Sequence, residues 1–430
     1  MIAAKEKSQA ELVLAALFEQ RKGDGAPDLR EEAWAAFSLK GLPNRRLESW
    51  HYTDLRAALR EIAPEAGRLG AVAPAQDDRL RIAIAGGEYA ARPEDLAAAP
   101  EGVTVTSLRA ALAQGDAEAI AALAPRTGDP AVDLNAALMQ DGAVLRIAPG
   151  ARIERPISLD SMPAAGASTF TRNLVLVGEG AKTTIIEAAA PLFDGGQENH
   201  ALVLNLGAGA VVELIGDFGF GQPDTVRVYS LLASLAQDSV LKSTAFVWGG
   251  GLLRRQIFAT LEGERAQASF NGVALLAERA HADTTLQVRH EAPNGKSRER
   301  FRTIVDDDAS GVFQGKASVA REAQKTDGAM QSKALLLSPG ASMSNKPELE
   351  IFADDVICGH GATCGRLEAE QLFYLMARGI PRNEAEALLI EGFANEALEQ
   401  IETETLRAEL ADKVSAWLRL RGRRAKESAQ

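Results

Sequence analysis

The sequence predicts a mainly β chain. A right-handed parallel β-helix (a β-solenoid) is expected over residues 136–366, an α-rich region over 1–135 and a helical domain over 367–430. Three observations carry this. Short apolar runs from Gly142 onward end in turns of one kind: Gly150-Ala151, Gly180-Ala181, Gly209-Ala210, and a weaker echo at Asp238-Ser239. The apolar residues that open these turns, Ile147, Val177, Leu206 and Leu235, are 30, 29 and 29 residues apart (177 − 147, 206 − 177, 235 − 206). A near-constant period of that size marks a solenoid, whose rungs bury together a core that none could bury alone. The units are too short for helical rungs, so the coil is read as strands, with β-branched and leucine residues inward. Later units drift, yet Gly340-Ala341 repeats the turn. A β-sandwich with coincidental spacing is the alternative.

Ahead of the coil, Leu12, Ala16 and Glu19 set a helical pattern and Pro43 acts as a breaker. Between about 80 and 135, strands such as Leu80 to Ile84 and Val103 to Val105 mix with Ala-rich helix, and Ala111 to Pro125 is low in complexity. Beyond Leu367 the periodicity is helical. An amphipathic stretch from Glu370 to Met376 ends at Gly379, and Pro381 suits the start of a second helix carrying Ala385, Leu388, Leu389, Phe393 and Leu398 at steps of three and four. A further run reaches Leu420 and the basic tail Arg419 to Arg424. These helices read either as a cap on the open end of the coil or as a docking surface.

A net charge of −12 disfavours nucleic acid and anionic membranes as partners. No run is long enough to cross a bilayer. The apolar stretch Leu12 to Phe18 follows Lys5 and Lys7 but is flanked by Glu6, Glu11 and Glu19, which suits an amphipathic helix better than a signal peptide. Two cysteines in 430 residues make no disulfide framework, so a reducing, cytoplasmic setting is expected.

Both cysteines fall in one segment, Cys358 and Cys364, with His360 and several glycines between and around them. Thiolates and imidazole are soft ligands. Cys358 and His360 are two residues apart and share one side of a strand, read here as outward-facing, with a turn expected before Cys364. Three such ligands suit zinc if a fourth comes from elsewhere, and fall short of the four thiolates that usually hold an iron–sulfur cluster. Buried small cysteines with a hydrogen-bonded histidine are the plain structural reading. Elsewhere the chemistry is thin. Residues 176–183 fail as a phosphate loop, because Leu176 and Ala181 stand where glycines are required. The spacing of Gly359, Gly361 and Gly365 is wrong for a dinucleotide fingerprint. Asp306 to Asp308 reads as a solvated turn. His51, His200 and His281 are lone, and His290-Glu291 has no second histidine at zinc-protease spacing.

The segment from Lys346 to Arg366, followed by Gln371 to Ile380, resembles the SufD branch of the SufB/SufD family of SUF iron–sulfur cluster assembly proteins. Glu48, Trp50, Tyr52 and Thr53 are similar to that family's Glu-x-Trp-x-Tyr-Thr pattern. The SufB branch typically has His-Glu-Ala-Thr where His360, Gly361, Ala362 and Thr363 stand, and a cysteine upstream that residues 331–343 lack. Cys364 departs from the family pattern. The resemblance implies a non-catalytic scaffold. It implies pairing with a SufB-like paralogue through the β-helix and with a SufC-like ABC ATPase through the C-terminal helices. A transient cluster shared with SufB would be built at their interface, where His360, beside Cys358, acts with a SufB cysteine. No nucleotide is bound by this chain directly, no flavin motif is recognisable, and a homodimer of the isolated chain stays open. A zinc-stabilised interaction protein using Cys358, His360 and Cys364 is the alternative. A β-helix carbohydrate-active enzyme ranks lower, since aromatic residues make up only 5%.

Overall fold

The computed structural model describes residues 7–67, 69, 78–124, 127–219 and 221–428, with side chains up to residue 423. Lys5, Glu6, Pro125 and the side chain of Arg424, all used in the sequence reading, lie outside that set.

Strands from Ala143 onward alternate between two sheets, so each sheet neighbour is one rung away in the chain. The first sheet runs from Ala143–Ile147 and Ser168–Val177 to Ser342–Ile351; the second runs from Ile157–Met162 to Ile357–Gly365. Every pairing along this run is parallel. A parallel β-solenoid is therefore present, as the period predicts. Gln197 lies opposite Ser168 and Val226 opposite Gln197, steps of 29 residues (197 − 168, 226 − 197). Leu252 then lies opposite Val226, a step of 26 (252 − 226), and Ser342 opposite Ser310, a step of 32 (342 − 310). The strands keep ten residues while the turns between them shrink and grow, which is why the motif drifts.

The repeated turn has a backbone cause. Gly150, Gly180 and Gly209 take φ of 71°, 64° and 65°, and Asp238 reaches 57°. That left-handed region suits glycine and tolerates aspartate. Gly340 does not adopt it. Within the coil, inward residues such as Leu145, Val175, Leu204, Ile257 and Phe270 form one continuous core. Strand alternation sends their neighbours to the outer faces.

Both outer faces are covered. Helices Gln9–Arg21, Pro27–Lys40 and Pro130–Leu138 pack with Trp50 over Phe170, Val226 and Val228 of the first sheet. Ser8 and Glu11 form a reciprocal cap that satisfies free N–H groups at the first of these helices. Strands Leu80–Ala85 and Val103–Ser107 already belong to the two sheets, the second of them antiparallel to Ala143–Ile147. At the other end, helices Arg382–Leu398 and Glu404–Ser428 lie along the second sheet. Ile390, Leu398, Leu410 and Trp417 are buried against Ile215, Phe246, Leu275 and Ile304. Each such apolar side chain contributes about 1.5–3 kcal/mol. These two helices flank the coil, so the cap reading does not hold for them. The helix Ala369–Ala377 buries none of its residues. Asp306 is not a solvated turn residue either: it is buried and pairs with Arg421 at 2.7 Å, tying the last helix to the coil.

Candidate functional site

The coil ends in an open mouth formed by its two last strands, Ser342–Ile351 and Ile357–Gly365. Among the described residues Ile357–Gly365 pairs on one side only, with Asp327–Leu336. In that register Cys358 lies opposite Gly328, His360 opposite Met330 and Cys364 opposite Ala334. The strand runs unbroken, so the turn expected before Cys364 is absent. Cys358, His360, Ala362 and Cys364 share one side of it. That side is the inward one, because Met330 just below belongs to the inner core together with Phe270. The outward direction read from sequence is thus corrected. His360 and Cys364 are nevertheless exposed and Cys358 half-buried, because no further rung covers them.

Cys358 packs beside Val319, Ala323 and Ala353, and burial pushes its thiol above the usual range. The backbone at Gly328 opposes the shift, while Asp327 and Glu299 add to it. Cys364 faces the first sheet: the Asn345 amide donates to its Sγ at 3.2 Å, and Asn345 accepts from the Ser332 hydroxyl at 2.6 Å. Along an extended strand Cys358 and His360 are about 7 Å apart, and Cys358 and Cys364 about 20 Å. Among the described residues no group of three His, Cys, Asp or Glu side chains is placed to hold a metal ion. The zinc alternative needs three ligands to converge, and strand geometry spreads them out.

Beneath the mouth lies a polar group that the sequence reading missed. His290 Nε2 is 3.1 Å from Ser297 Oγ, and Ser297 also hydrogen-bonds Glu299. Among the described residues His290 Nδ1 and Glu299 Oε1 have no hydrogen-bond partner although both residues are buried. Burial drives His290 down to about 4 and Glu299 up to about 7. Buried His200 is hydrogen-bonded to Thr171 at 2.6 Å and half-buried His281 to Thr53 at 2.8 Å.

The Trp50 segment packs on the outer face of the first sheet. The Arg254 guanidinium, fully buried, pairs with Asp283 and lies 4.3 Å from the Trp50 ring centroid. The period itself could have revealed this pair, because 283 − 254 is 29. Trp50 Nε1 donates to Asp129 at 2.7 Å, and the Thr53 hydroxyl donates to Asp283.

Comparison with known proteins agrees with this architecture. The family model described as "SUF system FeS cluster assembly, SufBD core domain" matches residues 161–393, and the "SufBD protein N-terminal region" model matches 78–159. The chain is 32% identical to the iron–sulfur cluster assembly protein SufD of Escherichia coli, over 87% of this chain and 89% of that protein. The chain belongs to the SufBD family. A SufBD family protein of Synechocystis is 30% identical over 94% of both chains, and the chloroplastic ABCI7 protein of Arabidopsis thaliana is 33% identical over 40% of this one. The SufBD core match spans the coil from its early rungs through the mouth and into the helix Arg382–Leu398. Among the described residues no helix of this SufBD protein is long and apolar enough to cross a membrane.

Proposed function

We propose that this SufD-type member of the SUF system is a non-catalytic scaffold subunit that pairs with a SufB-like paralogue through the mouth of its coil. The observation that carries this reading is the uncovered last rung. It offers free strand edges together with an exposed imidazole and a half-buried thiol. Free edges are templates for pairing with another chain. The nascent cluster, the cargo of the assembly, would be built where His360 and Cys358 meet a partner's cysteine. A mixed, incomplete ligand set suits a cluster that must be handed on. A SufC-like ATPase would dock on the C-terminal helices, where Phe373, Tyr374 and Met376 of Ala369–Ala377 are exposed. Two free thiols fit a reducing compartment, taken here as the cytoplasm.

Co-expression with SufB-like and SufC-like partners, followed by measurement of complex composition, iron and sulfide, tests the reading. A three-protein complex carrying labile iron and sulfide is expected. A durable cluster saturating the isolated chain would overturn it.

A further inference from the structure

The segment 48–53 spans four consecutive strands of the first sheet and ends at the mouth. Its anchor is deep. Trp50 is fully buried, lies against Arg254 on Leu252–Leu261, and Thr53 reaches His281 and Asp283 on the next strand, His281–His290. One residue before Trp50, the Ser49 carbonyl accepts from Arg254 Nη2 at 2.6 Å and from Gln314 Nε2 at 3.2 Å, the latter on Ser310–Val319. One residue earlier again, Glu48 Oε1 meets Lys346 Nζ at 2.8 Å on Ser342–Ile351, the last strand of this sheet. The column Gln256, Thr285, Gln314, Lys346 places the Ser49 and Glu48 partners Gln314 and Lys346 on one outward line, with the Arg254 and Asp283 pair two residues along.

The last strand needs such a hold. Among the described residues only Ser310–Val319 pairs with it, which leaves its other edge without a strand. Its Asn345 is the residue that reaches across the mouth to Cys364, and Asn345 is next to Lys346. A shift of this strand therefore moves both the Asn345 contact and the rim facing His360. We propose that residues 48–53 form a latch: Trp50 and Thr53 anchor it, and Glu48 and Ser49 hold the last two strands of the first sheet so that the mouth keeps its shape before any partner arrives. Glu48 and Lys346 are positioning residues here. The relevance of the mouth to cluster building rests on the scaffold reading above; the latch itself does not.

The magnitude is modest at the tip. Glu48 and Lys346 side chains are 83% and 29% exposed, so solvent screens the pair and the hold is weak. Lys346 also has Glu348 at 3.4 Å as a second partner. Local opening of the last strand should rise by up to about fivefold when the Glu48 contact is lost. Charge reversal at Glu48 removes the attraction and adds repulsion, so it gives the larger effect.

The test uses the isolated full chain. Amide exchange of residues 342–351 and the alkylation rate of Cys364, in a Cys358→Ser background, are measured for Glu48→Lys, Gln314→Ala and the swap Glu48→Lys with Lys346→Glu. Faster exchange confined to 342–351 and faster Cys364 alkylation are expected in Glu48→Lys and Gln314→Ala, at unchanged Tm, with recovery in the swap. Unchanged exchange and alkylation overturn the latch, as does failure of the swap to recover them. None of these readouts involves a cluster, so failure of the latch and failure of the scaffold reading are separable.

Discussion

Met330 lies directly beneath His360, as Cα partners in the parallel pairing of Asp327–Leu336 with Ile357–Gly365. Met330 is buried and closes the inner core, whereas His360 stands on top of it in the open. Among the described residues His360 therefore has a buried Met330 one rung below and no strand above it.

His360→Ala should leave the fold intact. The side chain is exposed and its loss creates no cavity, so stability should change by less than about 0.5 kcal/mol. Cluster yield of the co-expressed complex should fall sharply. Thermal melting of the isolated chain and iron and sulfide content of the complex check the two halves. Normal cluster content in the variant would remove His360 from the ligand set.

Cys364 is expected to behave differently. It stands four residues from His360, about 13 Å along the strand, and its sulfur is engaged by Asn345. Cys364→Ser should keep most of the cluster yield, while Cys358→Ser, two residues from His360, should lower it. Equal losses in both would mean that the mouth closes enough on assembly to bring Cys364 in.

Much of the coil was legible because its turns are chemically explicit. Gly180 and Gly209 advertise a left-handed backbone, and even the weak echo at Asp238 adopts it. The end of the coil was not legible. Nothing within residues 357–365 says that no rung follows, and alternation alone does not tell the inward side of that strand from the outward one. The strand Leu80–Ala85 was readable as a strand, but its pairing with Ile157–Met162 joins residues more than seventy positions apart. Buried polar residues such as Glu299 look like surface residues in a sequence, since only the alternation carried up from Phe270 turns them inward. The period marks the helices after Leu367, yet the face they cover depends on outward residues of the second sheet such as Ile215 and Phe246.

Those helices also dictate how ATPase docking should be probed. Removing everything from Leu367 onward would bare Phe246, Leu275 and Ile304 and confound any binding result. A point change avoids this. Phe373 and Tyr374 are 73% and 58% exposed on a helix that buries nothing. Phe373→Glu should weaken capture of a SufC-like ATPase at least tenfold, on the scale of a hydrophobic anchor, with Tm unchanged. Isothermal titration with the ATPase provides the measurement; full affinity in the variant would move the docking surface elsewhere.

Glu299 and His290 set a pH dependence whose two parts oppose each other. The Glu299 carboxyl rises from 4.5 to about 7 by burial. Between those values the folded chain keeps a proton that the unfolded chain has lost, so stability falls as pH rises and the penalty is complete above about 7. His290 drops from 6.5 to about 4, also by burial. The folded chain then lacks a proton that the unfolded chain binds, so this contribution is lost as pH falls below 6.5. Each effect is on the order of 3 kcal/mol, and Ser297 joins the two groups, so they titrate together. Within the shared window of roughly pH 4.5–6.5 the slopes largely cancel. Glu299→Gln leaves His290 alone. Its stability in urea should climb with pH through that window, and at pH 8 it should exceed that of the parent chain. Parallel stability curves for the two proteins from pH 4.5 to 8 would show that Glu299 ionises freely in the folded coil.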